Sequence, residues 1–103
     1  MLKRPVIRSN KVRESARDEA CTLNGPNCNY DSQTTVFCHL NEQFAGKGIG
    51  IKADDIGFYG CSNCHSDYDG GRLEDKYFYV LRAVVRTLQR LVEKQIITIK
   101  GMR

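Results

Sequence analysis

In the stretch LEDKYFYVLRAVVRTLQRLVEK, Tyr77, Leu81, Val84, Leu88, Leu91 and Val92 recur at helical spacing. Acids at its start and bases toward its end suit the helix dipole. The pattern predicts a long amphipathic helix over 74–94. Near the other end, RSNKVRESARDEA predicts a short helix over 9–20, with Ser9 or Asn10 as N-cap and Val12, Ala16 and Ala20 on one face. Between them, TTVFCHL at 34–40 is β-branched and aromatic and reads as a strand. IGFYG reads as a second strand, and QIITIKG as a final short one over 95–100. CTLNGPNC is turn chemistry. NEQFAGKGIGIKADD is a glycine-containing loop, long for a chain of 103 residues, and long loops are often functional. The order is helix, turn, strand, loop, strand, short helix, long helix, strand. No repeat or linker divides it, so a single α+β domain over 1–103 is expected.

A core this small needs a staple, and five cysteines offer one. The opening MLKRPVIRSNKVRE is charged from its third residue and lacks an apolar h-region, which argues against a secretory signal. No apolar run has the length of a membrane span, so no membrane partner is expected. A reducing, cytoplasmic compartment follows, where clustered cysteines favour metal over disulfide. Charge is segregated. Residues 1–17 hold six Lys/Arg against one acid, and residues 72–103 hold eight against three. Residues 18–71 hold Lys47 and Lys52 against eight acids. Basic ends attract polyanions, although both could equally be solvated helix faces.

Cys61 and Cys64 form Cys-x-x-Cys, and Cys21 and Cys28 form a wider pair across the turn. Two such pairs build four-thiolate sites, so structural Zn2+ is expected, with iron in the same ligands as the alternative. A thioredoxin-type redox role lacks its βαβ setting. Cys38, left over inside an apolar strand, reads as a buried small hydrophobe, with approach to a metal as the second reading. The two histidines are His39 and His65. If a helix starts at the Cys-x-x-Cys knuckle, Asp69 falls four residues after His65, on the same face. That pair suits one divalent cation. A plain helix-surface histidine, or one supporting the zinc site, fits the spacing equally well. Asp67 should face solvent, and Gly70 and Gly71 should end the helix.

A strand ending in histidine, a loop, a strand, a Cys-x-x-Cys-His turn and a helix with a ligand four residues on form the ββα-metal layout. TTVFCHL with DDIGFYGCSNCHSDYDGG resembles the HNH endonucleases. Nearly the whole chain resembles the YbcO-type nuclease family of lambdoid phages and prophages, through RSNKVRESAR, CT at 21–22, VFCHL, AGKGIGIKADD, CSNCHSDYDGG and IITIKGMR. The resemblance implies an HNH/His-Me finger-like core over 34–71. It matches His39 to the general base, His65 to the metal-binding histidine and Asp69 to the last ligand, a carboxylate in place of histidine. Asp55, or Asp54, falls near the HNH asparagine that braces the base-bearing loop. Cys38 stands where many HNH enzymes carry another ligand.

The implied chemistry is attack of water on a phosphodiester of DNA in the cytoplasm of a bacterial host, serving phage recombination or DNA processing. A base titrating near neutrality is needed, and histidine as a type ionises near about 6.5. A divalent cation on His65 and Asp69 would stabilise the phosphate. Mg2+ or Mn2+ suits that pair, and the nitrogen ligand also admits Ni2+ or Zn2+. Arg82, Arg86, Arg90 and Lys94 repeat every four residues and could track phosphates, or form the solvated stripe of an amphipathic helix. Lys47, between two glycines, could sit at a phosphate. The alternative function is a non-catalytic zinc-ribbon-like module that binds nucleic acid or protein. A homodimer through the C-terminal helix is a further expectation.

Overall fold

The structure, a computed structural model, describes residues 7–42 and 55–102. Lys47, Asp54 and most of the glycine-containing loop lie outside the described residues. The elements are α1 (Asn10–Glu14), a 3-10 turn (Ser32–Thr34), β1 (Val36–His39), β2 (Gly57–Gly60), α2 (Ser62–Asp69) and α3 (Lys76–Glu93). The fold is α+β, with β1, β2 and α2 in ββα order.

β1 and β2 pair antiparallel, with Val36 opposite Gly60, Phe37 opposite Tyr59, Cys38 opposite Phe58 and His39 opposite Gly57. Side chains alternate across a strand, so this small hairpin serves two cores. Cys38 and Phe58 turn to one face and pack with Leu23, Cys61, Cys64, Tyr68 and Ala83. Phe37 and Tyr59 turn to the other and pack with Val12, Ala16 and Leu91. Glycine is required where the strands come closest. A Cβ on Gly57 would sit 1.9 Å from the Cys38 carbonyl oxygen, and one on Gly60 2.8 Å from the Cys38 sulfur.

The free edge of β2 is covered by side chains. The Tyr59 N–H donates to the hydroxyls of Thr22 and Thr87, at 3.2 and 3.1 Å. Its carbonyl accepts from the N–H and hydroxyl of Thr22, both at 2.8 Å. An unpaired strand edge is thereby satisfied within the chain. This contact also sets the rotation of α3, whose buried residues are Ala83, Thr87 and Leu91. Of the apolar set expected to face the core, Leu91 is buried and Val84 and Val92 are half-buried, but Tyr77, Leu81 and Leu88 are exposed. Tyr77, Phe78 and Leu81 are 66%, 60% and 68% exposed. α3 is apolar around much of its girth, and the small Ala83 and Thr87 fit the strand edge where larger residues would not.

Two expected elements differ. The first helix stops at Glu14 instead of 20. Ser9 caps it, accepting from the Val12 N–H at 3.3 Å. Val12 and Ala16 are buried, but the backbone turns at Asp18, φ 63°, and leaves Ala20 exposed. Residues 95–100 form no strand. Gln95 adopts φ 60°, its N–H donates to Val92 O at 3.0 Å, and the Ile96 N–H reaches Leu91 O at 2.9 Å. These are the two bonds of a Schellman reversal. The apolar run QIITI mimics a strand in pattern, yet its first amides close the helix, and Ile96 and Ile97 pack on the Tyr59 cluster.

Candidate functional site

Four cysteines converge between the 21–28 turn and the start of α2. The Sγ atoms of Cys21, Cys28, Cys61 and Cys64 all lie within 4.8 Å of one another. Tetrahedral Zn–S bonds of about 2.3 Å place sulfurs about 3.8 Å apart, and Cys28 and Cys61 are at 3.8 Å. None of the five cysteines is in a disulfide. Cys61 is the N-cap of α2 and accepts from the Cys64 N–H at 3.4 Å. Burial opposes ionisation of Cys61, but N–H groups of Cys64 and Asn29 aimed at its sulfur bring the thiol down to about 7. Burial pushes the Cys64 thiol up. Asn24 donates from its backbone to Cys21 at 3.5 Å and from its side chain to Cys28 at 3.7 Å. Such donors stabilise thiolates, the form that ligates metal. The cluster fits a metal such as zinc.

On α2, His65 Nε2 lies 2.9 Å from Asp69 Oδ2, and both side chains are partly open to solvent. The i,i+4 spacing on one helical face accounts for the pairing. Asn41, which the sequence does not flag, donates to Asp69 Oδ1 at 2.6 Å, and its N–H donates to the Tyr68 hydroxyl at 2.8 Å. The chain leaving β1 is thus tied to the end of α2. Cys38 is buried on the α2 side, and burial, followed by the negative charge of Asp69, raises its thiol well above the ordinary value. Cys38 does not belong to the four-cysteine group. Asp67, expected in solvent, is only 17% exposed at its side chain; it lies 3.5 Å from Arg72 and accepts from Asn27 at 3.0 Å. That bond fastens the 21–28 turn to α2.

His39, the last residue of β1, falls on the Phe37 face of the strand by alternation. Among the described residues, Arg8, Arg13 and Asp55 line with it a hollow of about 350 Å3. His65 and Asp69 are not among the lining residues. The Asp55 side chain is 1% exposed and faces Arg13 Nε at 3.2 Å, a charge contact out of hydrogen-bond alignment. It accepts from the Ser9 N–H, and its own N–H donates to Ile7 O at 3.1 Å. The start of α1 is therefore strapped to the entry of β2, beside the histidine.

The row along α3 lies against residues 15–24, with Arg82 and Lys94 half-buried and Arg86 and Arg90 exposed. Arg82 donates to Leu23 O at 3.0 Å and lies 5.3 Å from the ring centres of Phe78 and Tyr79. Arg86 donates to the Asn24 side chain at 3.2 Å. Arg90 grips both Glu19 oxygens, at 2.6 and 3.3 Å. Lys94 donates to Ser15 O at 3.0 Å and lies 3.6 Å from Glu19. Each member of the row holds the N-terminal segment against α3. No helix among the described residues is long and apolar enough to cross a membrane.

The family model described as "Putative nuclease YbcO" matches residues 10–96. No curated protein matches this chain. A solved structure titled "Structure of a putative bacteriophage protein from Escherichia coli str. K-12 substr. MG1655" is similar at TM-score 0.62 and 26% identity, covering 82% of this chain and 100% of that one.

Proposed function

The chain belongs to the family described as "Putative nuclease YbcO", and on that premise we propose a metal-dependent, HNH-like endonuclease that hydrolyses phosphodiester bonds in DNA. The observation that carries the reading is at the end of β1. His39 is the last strand residue, and two residues later Asn41 holds Asp69, the partner of His65. In this reading the proton acceptor and the cation-holding pair would share one end of the hairpin, through the Asn41–Asp69 contact.

His39 is assigned as general base, taking the proton of the attacking water. It lies on the Phe37 face, in a hollow that His65 and Asp69 do not line, so base and ion would have to meet the substrate across the end of the hairpin. His65 and Asp69, an imidazole and a carboxylate 2.9 Å apart at the surface, would hold Mg2+ or Mn2+, with Ni2+ or Zn2+ admitted by the nitrogen; the bound ion would supply charge neutralisation at the phosphate. Asn41 fixes the rotamer of Asp69. In the row along α3, Arg82 and Arg86 have neutral hydrogen-bond partners, and Arg86 is the more exposed, which suits it to a DNA backbone. Lys47 keeps its proposed phosphate contact. Work in the cytoplasm of a phage-bearing bacterial host, in recombination or DNA processing, fits this chemistry.

The test is plasmid cleavage across Mg2+, Mn2+ and Ni2+. His39→Ala should abolish cleavage and leave the thermal melt unchanged, since His39 is an exposed residue. Full cleavage by that variant would remove His39 from the reaction. Absence of cleavage by the wild type with every ion would leave the non-catalytic zinc-ribbon-like module, which needs neither histidine.

A further inference from the structure

We infer that α3 is a self-association helix: its exposed apolar seam packs antiparallel on the same seam of a second copy of this chain, and Phe78 of each copy seats in a hollow at the far end of the other's helix. The inference does not depend on the nuclease reading.

Phe78, Leu81, Val85, Leu88 and Val92 follow one another at steps of three, four, three and four residues, the repeat of a coiled-coil seam. At about 100° per residue they fall within about 80° of one another on the helix. They lie apart from Ala83, Thr87 and Leu91, the residues of α3 that are buried in the protein's own core. Thr87 accepts the Tyr59 N–H at 3.1 Å, so α3 cannot roll to bury the seam without giving up that bond. Phe78, Leu81, Val85 and Leu88 are 60%, 68%, 50% and 42% exposed, and Tyr77 and Ile99 beside them 66% and 49%. Single exposed apolar residues are ordinary, but a contiguous patch marks an interface. Together these side chains offer on the order of 700 Å2, close to the share of about 800 Å2 that each partner gives to a standard interface.

A second copy is the occupant because the face complements itself. Its N-terminal end carries a knob, the Phe78 ring, steadied by Tyr79 at 5.5 Å and by the Arg82 guanidinium at 5.3 Å. A group held before docking loses little freedom on docking. Its C-terminal end carries a hole. Among the described residues, Leu88, Gln89, Val92, Glu93 and Ile99 line a hollow of about 480 Å3. The reversal at Gln95 completes it by bringing Ile99 back beside Leu88 and Val92. A two-fold axis across the helix takes each knob to the other copy's hole. The same axis sets Leu81 of one copy opposite Val85 of the other and opposes the two helix dipoles favourably. A parallel pair would stack ring on ring and leave both hollows open.

The test is the mass of the full chain by sedimentation equilibrium at about 100 μM, above the micromolar Kd at the weak end for interfaces of this area. Twice the 11.7 kDa of one chain is expected. A single-chain mass overturns the inference and gives the face to another occupant, residues 43–54 or a different protein. Leu81→Glu should weaken the dimer about thirtyfold or more, as loss of a hot-spot side chain does, and leave the circular dichroism unchanged, since Leu81 is exposed. If Leu81→Glu fails to fold, Val85→Lys, at another exposed seam position, should weaken the dimer in the same way. An undiminished dimer in a folded variant overturns the inference. Direction is read by mixing the two variants, each monomeric alone. They should form a one-to-one dimer, because antiparallel packing sets the new carboxylate against the new ammonium. A mixture that stays monomeric overturns the antiparallel pairing.

Discussion

Gly57 faces His39 across the hairpin, and its missing side chain lets the strands close. A methyl group there would overlap the Cys38 carbonyl at 1.9 Å, a backbone atom that cannot rotate away. Gly57→Ala must therefore push β1 and β2 apart and disturb both cores, because Phe58 and Tyr59 follow directly. The expected loss is about 3 kcal/mol, the upper end for overpacked sites, read as a lower urea midpoint at constant slope. An unchanged midpoint would mean that the strands do not meet at this register. The spacing of His65 and Asp69 in the sequence is enough to pair them, since i,i+4 is a local rule. The hollow beside His39 is another matter: Arg8, Arg13 and Asp55 come to line it with the histidine only through folding, and no periodicity links residue 13 to residue 55. Asn41 carries no motif signal at all.

Among elements, α3 is the packing surface for the N-terminal segment. Arg82, Arg86, Arg90 and Lys94 were legible as a row because they repeat every four residues. Their acceptors, Ser15, Glu19, Leu23 and Asn24, lie 58 to 79 residues away and were not. Long-range pairing also chose which side of α3 is buried, whereas its existence and length followed from local pattern. The Schellman end at Gln95 was missed because a β-branched run has the same pattern whether its amides pair with a strand or with helix carbonyls. The Arg90–Glu19 contact has a pH signature. Hydrogen bonds from Arg90 hold the Glu19 carboxyl below the ordinary carboxylate range, against the opposing cost of partial burial. A carboxyl with a folded value below its unfolded one stabilises the fold above the unfolded value and loses that contribution as pH falls through the folded one. Stability should therefore decline on the acid side, from about pH 5 downward, and Glu19→Gln should flatten that limb in urea melts taken at successive pH values. Identical acid limbs would show that the contact is not held in solution.

At the scale of the molecule, sulfur stands in for much of the core. The buried cluster on the α2 side contains Cys21, Cys61 and Cys64 beside Leu23, Phe58, Tyr68 and Ala83, with Cys28 packed against it. Without a central ion these thiols are small side chains around a gap, joining the 21–28 turn to α2 by weak contacts and by the Asn27–Asp67 bond. With one, four bonds cross-link segments 33 to 43 residues apart, and binding energy becomes folding energy. The native protein should carry one equivalent of zinc by atomic emission. Stripping it with a strong chelator should cost the cooperative melt: at about 4–8 °C of Tm per kcal/mol for a domain of this size, a loss of only about 3 kcal/mol lowers Tm by about 12 °C or more. Cys64→Ser should reproduce this without chelator. Cys38→Ser, outside the four-sulfur group, should keep its zinc and show only the cost of a hydroxyl in an apolar site, about 1–3 kcal/mol. Zinc lost equally from both variants would mean that the fifth cysteine is a ligand, and a melt indifferent to chelation would leave the hairpin and α3 to hold the fold alone.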